Sequence, residues 1–202
     1  MVETAKLEKA EKEGGWLTRL SAFVFLHTEH AIYAALGVLM ASLTRRSFQR
    51  GWELGCSNGV LTERLAGRCE RLLATDISPR AAFQARRGLA HLPHVQVHCA
   101  QHPQQWPAGR FDLIVCGEMG YYLGPDALVE LRDGLHAAMK DDGLLVACHW
   151  LPSFPGRATR SALVHERLGH GLQEAFCYRD SDFILQGWTR APLSLASNEG
   201  LR

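Results

Sequence analysis

Between residues 50 and 150 short apolar runs alternate with amphipathic segments, and this rhythm restricts the fold more than any other feature of the 202-residue chain. G-W-E-L-G (51–55), R-L-L-A-T-D-I (71–77), V-Q-V-H-C (95–99), F-D-L-I-V-C (111–116) and G-L-L-V-A-C-H-W (143–150) have the length and composition of strands. Helical patterns separate them. Leu61, Leu65 and Ala66 make one apolar face that Gly67 ends, with Ser57 or Asn58 as the candidate cap; Pro79 opens a second helix, and D-A-L-V-E-L-R-D-G-L-H-A-A-M (126–139) is a third. Strands joined through helices run parallel. The fourth run is apolar at nearly every position, as expected for a strand covered on both faces.

After residue 150 the rhythm breaks. L-P-S-F-P-G-R (151–157) is a proline-broken loop and residues 158–168 are helical. L-Q-E-A-F-C-Y (172–178) and D-F-I-L-Q-G-W-T-R (182–190) are then two strands with only R-D-S between them. So short a gap admits only a hairpin, so these two strands are antiparallel. The fold class is therefore α/β, with a mostly parallel sheet in a single domain over residues 46–192. Ahead of it, Trp16, Leu20, Phe23, Ile32, Ala35, Leu36, Leu39 and Leu43 recur at spacings of three and four. They make residues 1–45 a helical cap that covers a sheet edge or closes as a lid. Residues 193–202 are a polar tail.

Composition narrows the partners. With 22 basic and 21 acidic side chains the formal charge is +1, so no overall field draws the chain to nucleic acid or to an anionic membrane. The longest apolar run, residues 31–41, is shorter than the roughly 20 residues that span a bilayer. Six cysteines stand singly, mostly within apolar runs, and the charged start lacks the pattern of a signal peptide; a reduced, cytoplasmic protein is expected, as a monomer or homodimer.

The stretch E-L-G-C-S-N-G (53–59) admits two chemistries. It fits G-x-S-x-G, the nucleophile elbow of serine hydrolases, and it fits a glycine loop at a strand-to-helix turn that holds a nucleotide-like cofactor. An elbow needs an oxyanion-hole donor from an earlier strand, and no strand pattern precedes residue 50. The cofactor reading has a second mark: Asp76 ends the second strand, 23 residues after Glu53, where a carboxylate can accept both hydroxyls of a ribose. The spacing E-x-G-x-x-x-G, with Ser57 at its centre, fits a dinucleotide loop poorly.

These residues, together with D-I-S (76–78), F-D-L-I-V-C-G-E-M-G-Y-Y-L (111–123) and G-L-L-V-A-C-H-W, resemble the class I S-adenosylmethionine-dependent methyltransferases. G-C-S-x-G-V-L-T, E-x-x-Y-Y-L and C-H-W are similar in particular to the nodulation protein S family of small N-methyltransferases. The resemblance covers residues 50 to 190. It implies a Rossmann-like, seven-stranded sheet with the last strand inserted antiparallel, S-adenosyl-L-methionine as cofactor, and a small-molecule amine as acceptor. It also implies that Glu53, Gly55, Cys56, Ser57 and Gly59 form the cofactor loop, with Gly55, Cys56 and Gly59 lining the methionine portion. Asp76 would hold the ribose, Ile77 would pack on the adenine and Gln101 would bond its amine. Ser57 stands where the superfamily usually has glycine, and Gln101 where it usually has an acid.

Methyl transfer from a sulfonium depends chiefly on positioning, with a base required only for the acceptor's proton. Groups after strands four and five are placed for that work: Glu118, Tyr121 and Tyr122, then His149, whose ordinary pKa is nearest neutrality. Glu118 is expected to serve catalysis and cofactor binding, His149 and Tyr121 catalysis, and Trp150 to wall the pocket. His94, His98 and His102 recur every fourth position but on a strand and loop, so no metal site is expected there. His165 lies on the helix before strand six, with substrate contact as one role and a surface position as the other. A non-methylating S-adenosylmethionine enzyme and a silent cofactor-binding protein stay open as alternatives.

Overall fold

A computed structural model describes residues 29–191 together with residues 196, 200 and 201. Trp16, Leu20 and Phe23 of the expected cap, and most of the expected tail, lie outside the described residues. Helix α1 (Glu29–Ser42) leads into β1 (Phe48–Leu54), α2 (Val60–Ala66), β2 (Cys69–Asp76), α3 (Pro79–Gly88), β3 (Val95–Cys99) and β4 (Phe111–Gly117). A 3-10 turn (Gly120–Tyr122), α4 (Pro125–Ala138), β5 (Met139–Trp150), α5 (Ser161–Gly169), β6 (Gln173–Arg179) and β7 (Phe183–Thr189) follow. One seven-stranded sheet has the order β3-β2-β1-β4-β5-β7-β6. The first five strands are parallel, while β7 enters between β5 and β6 antiparallel to both. The hairpin expected from the three-residue gap is therefore present, and it supplies the reversed strand.

Period-two alternation assigns the two faces. Leu113 and Val115 of β4 and Leu144 and Val146 of β5 share an apolar cluster with Leu39, Leu43 and Leu65, so α1 and α2 cover one face. Ala74 of β2 lies with Ala82 and Ala85 of α3 and with Leu89, which follows that helix, on the same side as Leu72. Ile114, Cys116, Leu145 and Ala147 meet α4 and α5 on the other face. Helix α1 thus lies across a sheet face rather than along its edge, because Leu39 and Leu43 reach the cluster that contains Leu185 of β7.

Strand β4 is buried along its length, as its apolar run requires, and its one acid has a specific task. Asp112 accepts the Gln49 N–H at 2.8 Å and the Arg50 N–H at 2.7 Å, which fastens the start of β1 to the central strand. Helix α3 begins as its sequence demands, with Pro79 in the first turn and the Ser78 hydroxyl accepting the Ala81 N–H. Helix α2 does not. Its N-cap is Gly59 in the left-handed region, and neither Ser57 nor Asn58 caps it.

Candidate active site

The chain leaves β1 toward β2 and β3, then returns to place β4 and β5 on the other side. Helix α2 follows β1 on one face and α4 follows β4 on the opposite face. Connections that diverge in this way open a crevice at the carboxyl ends of β1 and β4. Around it stand the loop 55–59, Asp76 to Ser78, Gln101, Glu118 to Tyr122, and Trp150.

The loop after β1 is built on left-handed residues: Gly55 (φ 75°), Ser57 (φ 50°) and Gly59 (φ 91°). Ser57 therefore occupies a backbone conformation in which glycine is the unstrained residue. The N–H groups of Gly55 and Cys56 both donate to the Thr75 carbonyl, at 2.8 and 3.0 Å, and the Ser57 N–H donates to Asp76 Oδ2 at 2.8 Å. Asp76 Oδ1 accepts the Ser78 N–H at 2.8 Å. The carboxylate thus ties the loop to the β2–α3 turn, gripping the Ser57 amide rather than its hydroxyl. Each Asp76 oxygen keeps a further lone pair. Burial pushes this carboxyl above its ordinary value, against the pull of the Ser78 and Ser57 amides.

Two loop residues have packing roles that the sequence did not indicate. Leu54 belongs to the cluster on the α4 face, yet Cys56 belongs to the cluster around α3, so the side-chain alternation of β1 breaks at Gly55. The Cys56 side chain points into the core, where burial drives its thiol pKa up, rather than lining the crevice. A Cβ on Gly59 would come within 2.9 Å of Leu89 Cδ1 and 3.2 Å of Ala85 Cβ. Gly59 lets α3 close against the loop, which is the close-packing role assigned to the third glycine of a dinucleotide loop.

Glu53 is 2% exposed beneath this loop, and neither its Oε2 nor Thr62 Oγ1 has a hydrogen-bond partner among the described residues. Burial pushes its carboxyl up to about 7; the nearby Thr62 hydroxyl pulls it down and the Asp76 charge raises it further. Ile77 is exposed beside Asp76. Gln101 is exposed after β3, with its N–H donating to Gln105 Oε1 at 2.7 Å.

On the β4 side Glu118 is also left-handed (φ 38°). Its Oε1 accepts the Trp150 N–H at 2.9 Å, and its Oε2 accepts the Tyr121 hydroxyl, so one carboxylate bridges the ends of β4 and β5. The group is crowded by protein yet opens to solvent in the crevice. Desolvation pushes it up to about 7, while the Tyr121 and Trp150 donors act in the opposite sense. The Tyr121 ring is buried edge-on to His149 and Phe154, with centroids 5.2 and 5.0 Å away.

His149 lies behind this wall. The Gly120 N–H donates to its Nε2 at 3.1 Å and its Nδ1 is 3.0 Å from His165 Nε2, so neither nitrogen keeps a lone pair for a substrate proton. Burial, His165 and the Arg157 charge hold its pKa well below the usual histidine range. The geometry therefore corrects the expectation that His149 contacts substrate: it is fully buried against α5, while the backbone of the next residue, Trp150, reaches Glu118. His165 is likewise buried rather than on the surface. His94 bonds the Ala66 carbonyl, His102 bonds the Thr75 hydroxyl and His98 is exposed, so these three are not brought together. No helix among the described residues is long and apolar enough to cross a membrane.

The family model of nodulation protein S matches residues 21–147, more than half of the chain. The chain belongs to the nodulation protein S family. Nodulation protein S of Rhizobium tropici is 34% identical to it over 97 residues, 48% of this chain and 41% of that protein. The chain spans about half the length of the curated relatives it matches, between 40% and 51%. Among solved structures, a putative methyltransferase from Pseudomonas syringae is 38% identical with a TM-score of 0.71, covering 79% of this chain and 99% of that one. The N-methyltransferase NodS from Bradyrhizobium japonicum WM9, in complex with S-adenosyl-L-homocysteine, is 26% identical with a TM-score of 0.70, covering 77% and 85%. The fold is that of the class I methyltransferases, as the motifs implied.

Within this nodulation protein S fold, three residues at or behind the crevice, Thr62, Gly120 and Gln186, escaped the sequence, and the partnership of His165 with His149 escaped it too. Thr62, beside Glu53, looks like an ordinary polar position on α2. Gly120 is distinguished in sequence only as a glycine shortly after a strand. A Cβ there would meet Val164 Cγ1 at 2.5 Å and His149 Nε2 at 3.1 Å. His165 and Gln186 come from α5 and β7, and no spacing connects either to the motif residues.

Proposed function

We propose that this chain transfers a methyl group from S-adenosylmethionine to a small molecule, with an amine nitrogen as the acceptor. The observation that carries the reading is the pairing of two carboxylates across one crevice: Asp76, tied to the loop after β1, and Glu118, tied to the end of β5. The residues present suit the cofactor. Asp76 has lone pairs for ribose hydroxyls, Ile77 offers an exposed apolar face for adenine, and Gln101 has an amide oxygen for its amine. Glu53, with an unpartnered buried oxygen, supplies negative charge that a cationic ligand compensates.

When bound, S-adenosylmethionine supplies an electrophilic methyl group on a cationic sulfur that leaves as a neutral thioether. The chain holds and orients the two reactants, and orientation supplies most of the acceleration in such a displacement. An ammonium has no lone pair, so an amine substrate must lose a proton first. Glu118, pushed up to about 7 in the crevice, is matched to accept that proton near neutral pH. Tyr121 and Trp150 hold the carboxyl in place. The amine preference draws on the relative described as an N-methyltransferase.

The test is incubation of the chain with methyl-labelled S-adenosylmethionine and a panel of amines, phenols and carboxylic acids. Label on nitrogen is the expected result. Label on oxygen or carbon alone would overturn the amine assignment, and methylthioadenosine in place of S-adenosylhomocysteine would replace methyl transfer by another alkyl reaction.

A further inference from the structure

A run of hydrogen bonds leads from the turn after β4 to the outer strand β6, and every donor in it points the same way. The Gly120 N–H donates to His149 Nε2 at 3.1 Å. A backbone amide only donates, so His149 Nε2 carries its lone pair. A neutral ring then has its proton on Nδ1, which lies 3.0 Å from His165 Nε2. That contact needs a lone pair on His165 Nε2, which places the His165 proton on Nδ1, 2.8 Å from Gln186 Oε1. Gln186 completes the series by donating from Nε2 to Glu174 Oε2 at 2.8 Å. The Gly120 donor at one end and the Gln186 and Glu174 acceptors at the other together select one tautomer for each histidine and one orientation of the amide.

The surroundings keep both rings neutral. Burial, the neighbouring ring and the Arg157 charge hold His149 low; burial with the Arg179 charge brings His165 to about 4, against the pull of Gln186. The groups that face the pair are Tyr121 from the 3-10 turn, Arg157 from the loop after β5, Arg179 and Glu174 from β6, and Gln186 and Trp188 from β7. A proton added at His149 Nε2 would oppose the Gly120 N–H directly.

His149 Nε2 fixes the turn that it faces. Gly120 is pressed between that nitrogen and Val164, with no room for a side chain. The next residue, Tyr121, sends its hydroxyl to Glu118 and its carbonyl to the N–H groups of Ala158 and Thr159. We propose that His165 and Gln186 are positioning residues. They hold His149 in its Nδ1–H tautomer, and through the Gly120 turn they set the Tyr121 hydroxyl against Glu118. The inference rests on the reading of Glu118 as the proton acceptor, but its first link, the tautomer, stands apart from it.

The experiment is nitrogen-edited NMR on the chain labelled at histidine, with the Glu118 side-chain carboxyl titrated in the same samples and S-adenosylhomocysteine binding followed by calorimetry. The wild type is expected to show His149 protonated only at Nδ1 across the neutral range. His165→Gln, whose amide offers an acceptor to His149 and a donor to Gln186, is expected to preserve that signature. His165→Leu is expected to mix the two tautomers and to raise the Glu118 midpoint by about one pH unit as the Tyr121 donor loosens, with the S-adenosylhomocysteine Kd within about twofold of wild type. Should His165→Leu not fold, Gln186→Leu removes the next link outward and carries the same expectation with a smaller shift. An Nε2–H tautomer in the wild type, or a Glu118 midpoint unmoved in the folded leucine variant, would overturn the proposal. Absence of S-adenosylhomocysteine binding to the wild type would instead overturn the cofactor reading, while the tautomer signature would still decide the hydrogen-bond polarity.

Discussion

The backbone N–H of Ser57 donates to Asp76 Oδ2 at 2.8 Å, so the loop after β1 and the end of β2 form one unit. Replacing Asp76 by alanine removes two charge-assisted bonds to backbone amides, at Ser57 and Ser78, together with the proposed ribose contact. Bonds of this kind contribute roughly 1.5–3 kcal/mol each. S-adenosylhomocysteine affinity is expected to fall by about 10- to 100-fold, measured by calorimetry. An affinity unchanged in Asp76→Ala would remove the basis for the cofactor site.

Of the three left-handed loop positions, Ser57 and Gly59 should respond oppositely to substitution. At Ser57, glycine relieves a strain of about 1–2 kcal/mol and adds unfolded-state entropy of about 0.4–1 kcal/mol. Ser57→Gly is therefore expected to be neutral or to stabilise by up to about 1.6 kcal/mol in urea denaturation, from the difference of those two terms. Gly59→Ala adds the same kind of strain and drives a methyl group into Leu89 and Ala85. Its expected cost is about 2–4 kcal/mol, strain and overpacking together.

Glu53 makes stability depend on pH. Its carboxyl lies at about 7 in the fold against 4.5 for the ordinary group, so between those values the folded chain binds more protons than the unfolded one. Stability from this group is complete below the lower value and declines as pH rises through the upper one, by up to about 3 kcal/mol. Glu53→Gln should therefore gain on the wild type as pH rises from 5 toward 8, in denaturation curves compared at each pH. His165, near 4 when folded against 6.5, has the reverse sign: its contribution is complete above 6.5 and is lost as pH falls toward 4.

Tyr121→Phe deletes a donor that lowers the Glu118 pKa. The carboxyl is expected to titrate about one unit higher. The acidic limb of the rate profile for an amine acceptor should move up by the same amount, because Glu118 then stays protonated further into the neutral range. Carboxyl NMR on the variant measures the first shift without any substrate.

The strand framework was legible because β4 and the second half of β5 are short, nearly continuous apolar runs, and because three residues between Tyr178 and Asp182 leave no path except a hairpin. The position of Asp76 at the crevice was legible because it ends an apolar strand, but its bonds to the Ser57 and Ser78 amides were not. His149 was not legible either. Its place at the carboxyl end of β5 suggests a pocket residue, but the ring turns toward α5, where Gly120 and His165 occupy both nitrogens. Those partners lie 29 and 16 residues away in sequence, beyond the reach of periodicity. The resemblance places Cys56 by its position in the loop, and position alone does not show that the left-handed Gly55 turns its side chain toward α3.

The insertion of β7 between β5 and β6 also governs the order in which the molecule can assemble. Until residues 183–189 have left the ribosome, β5 presents an unsatisfied row of amides and carbonyls alongside some of the most apolar sequence in the chain. Such an edge recruits other chains when it is left bare. Termination between Trp150 and Phe183 should therefore yield an aggregating product even though the crevice residues themselves have all been synthesised.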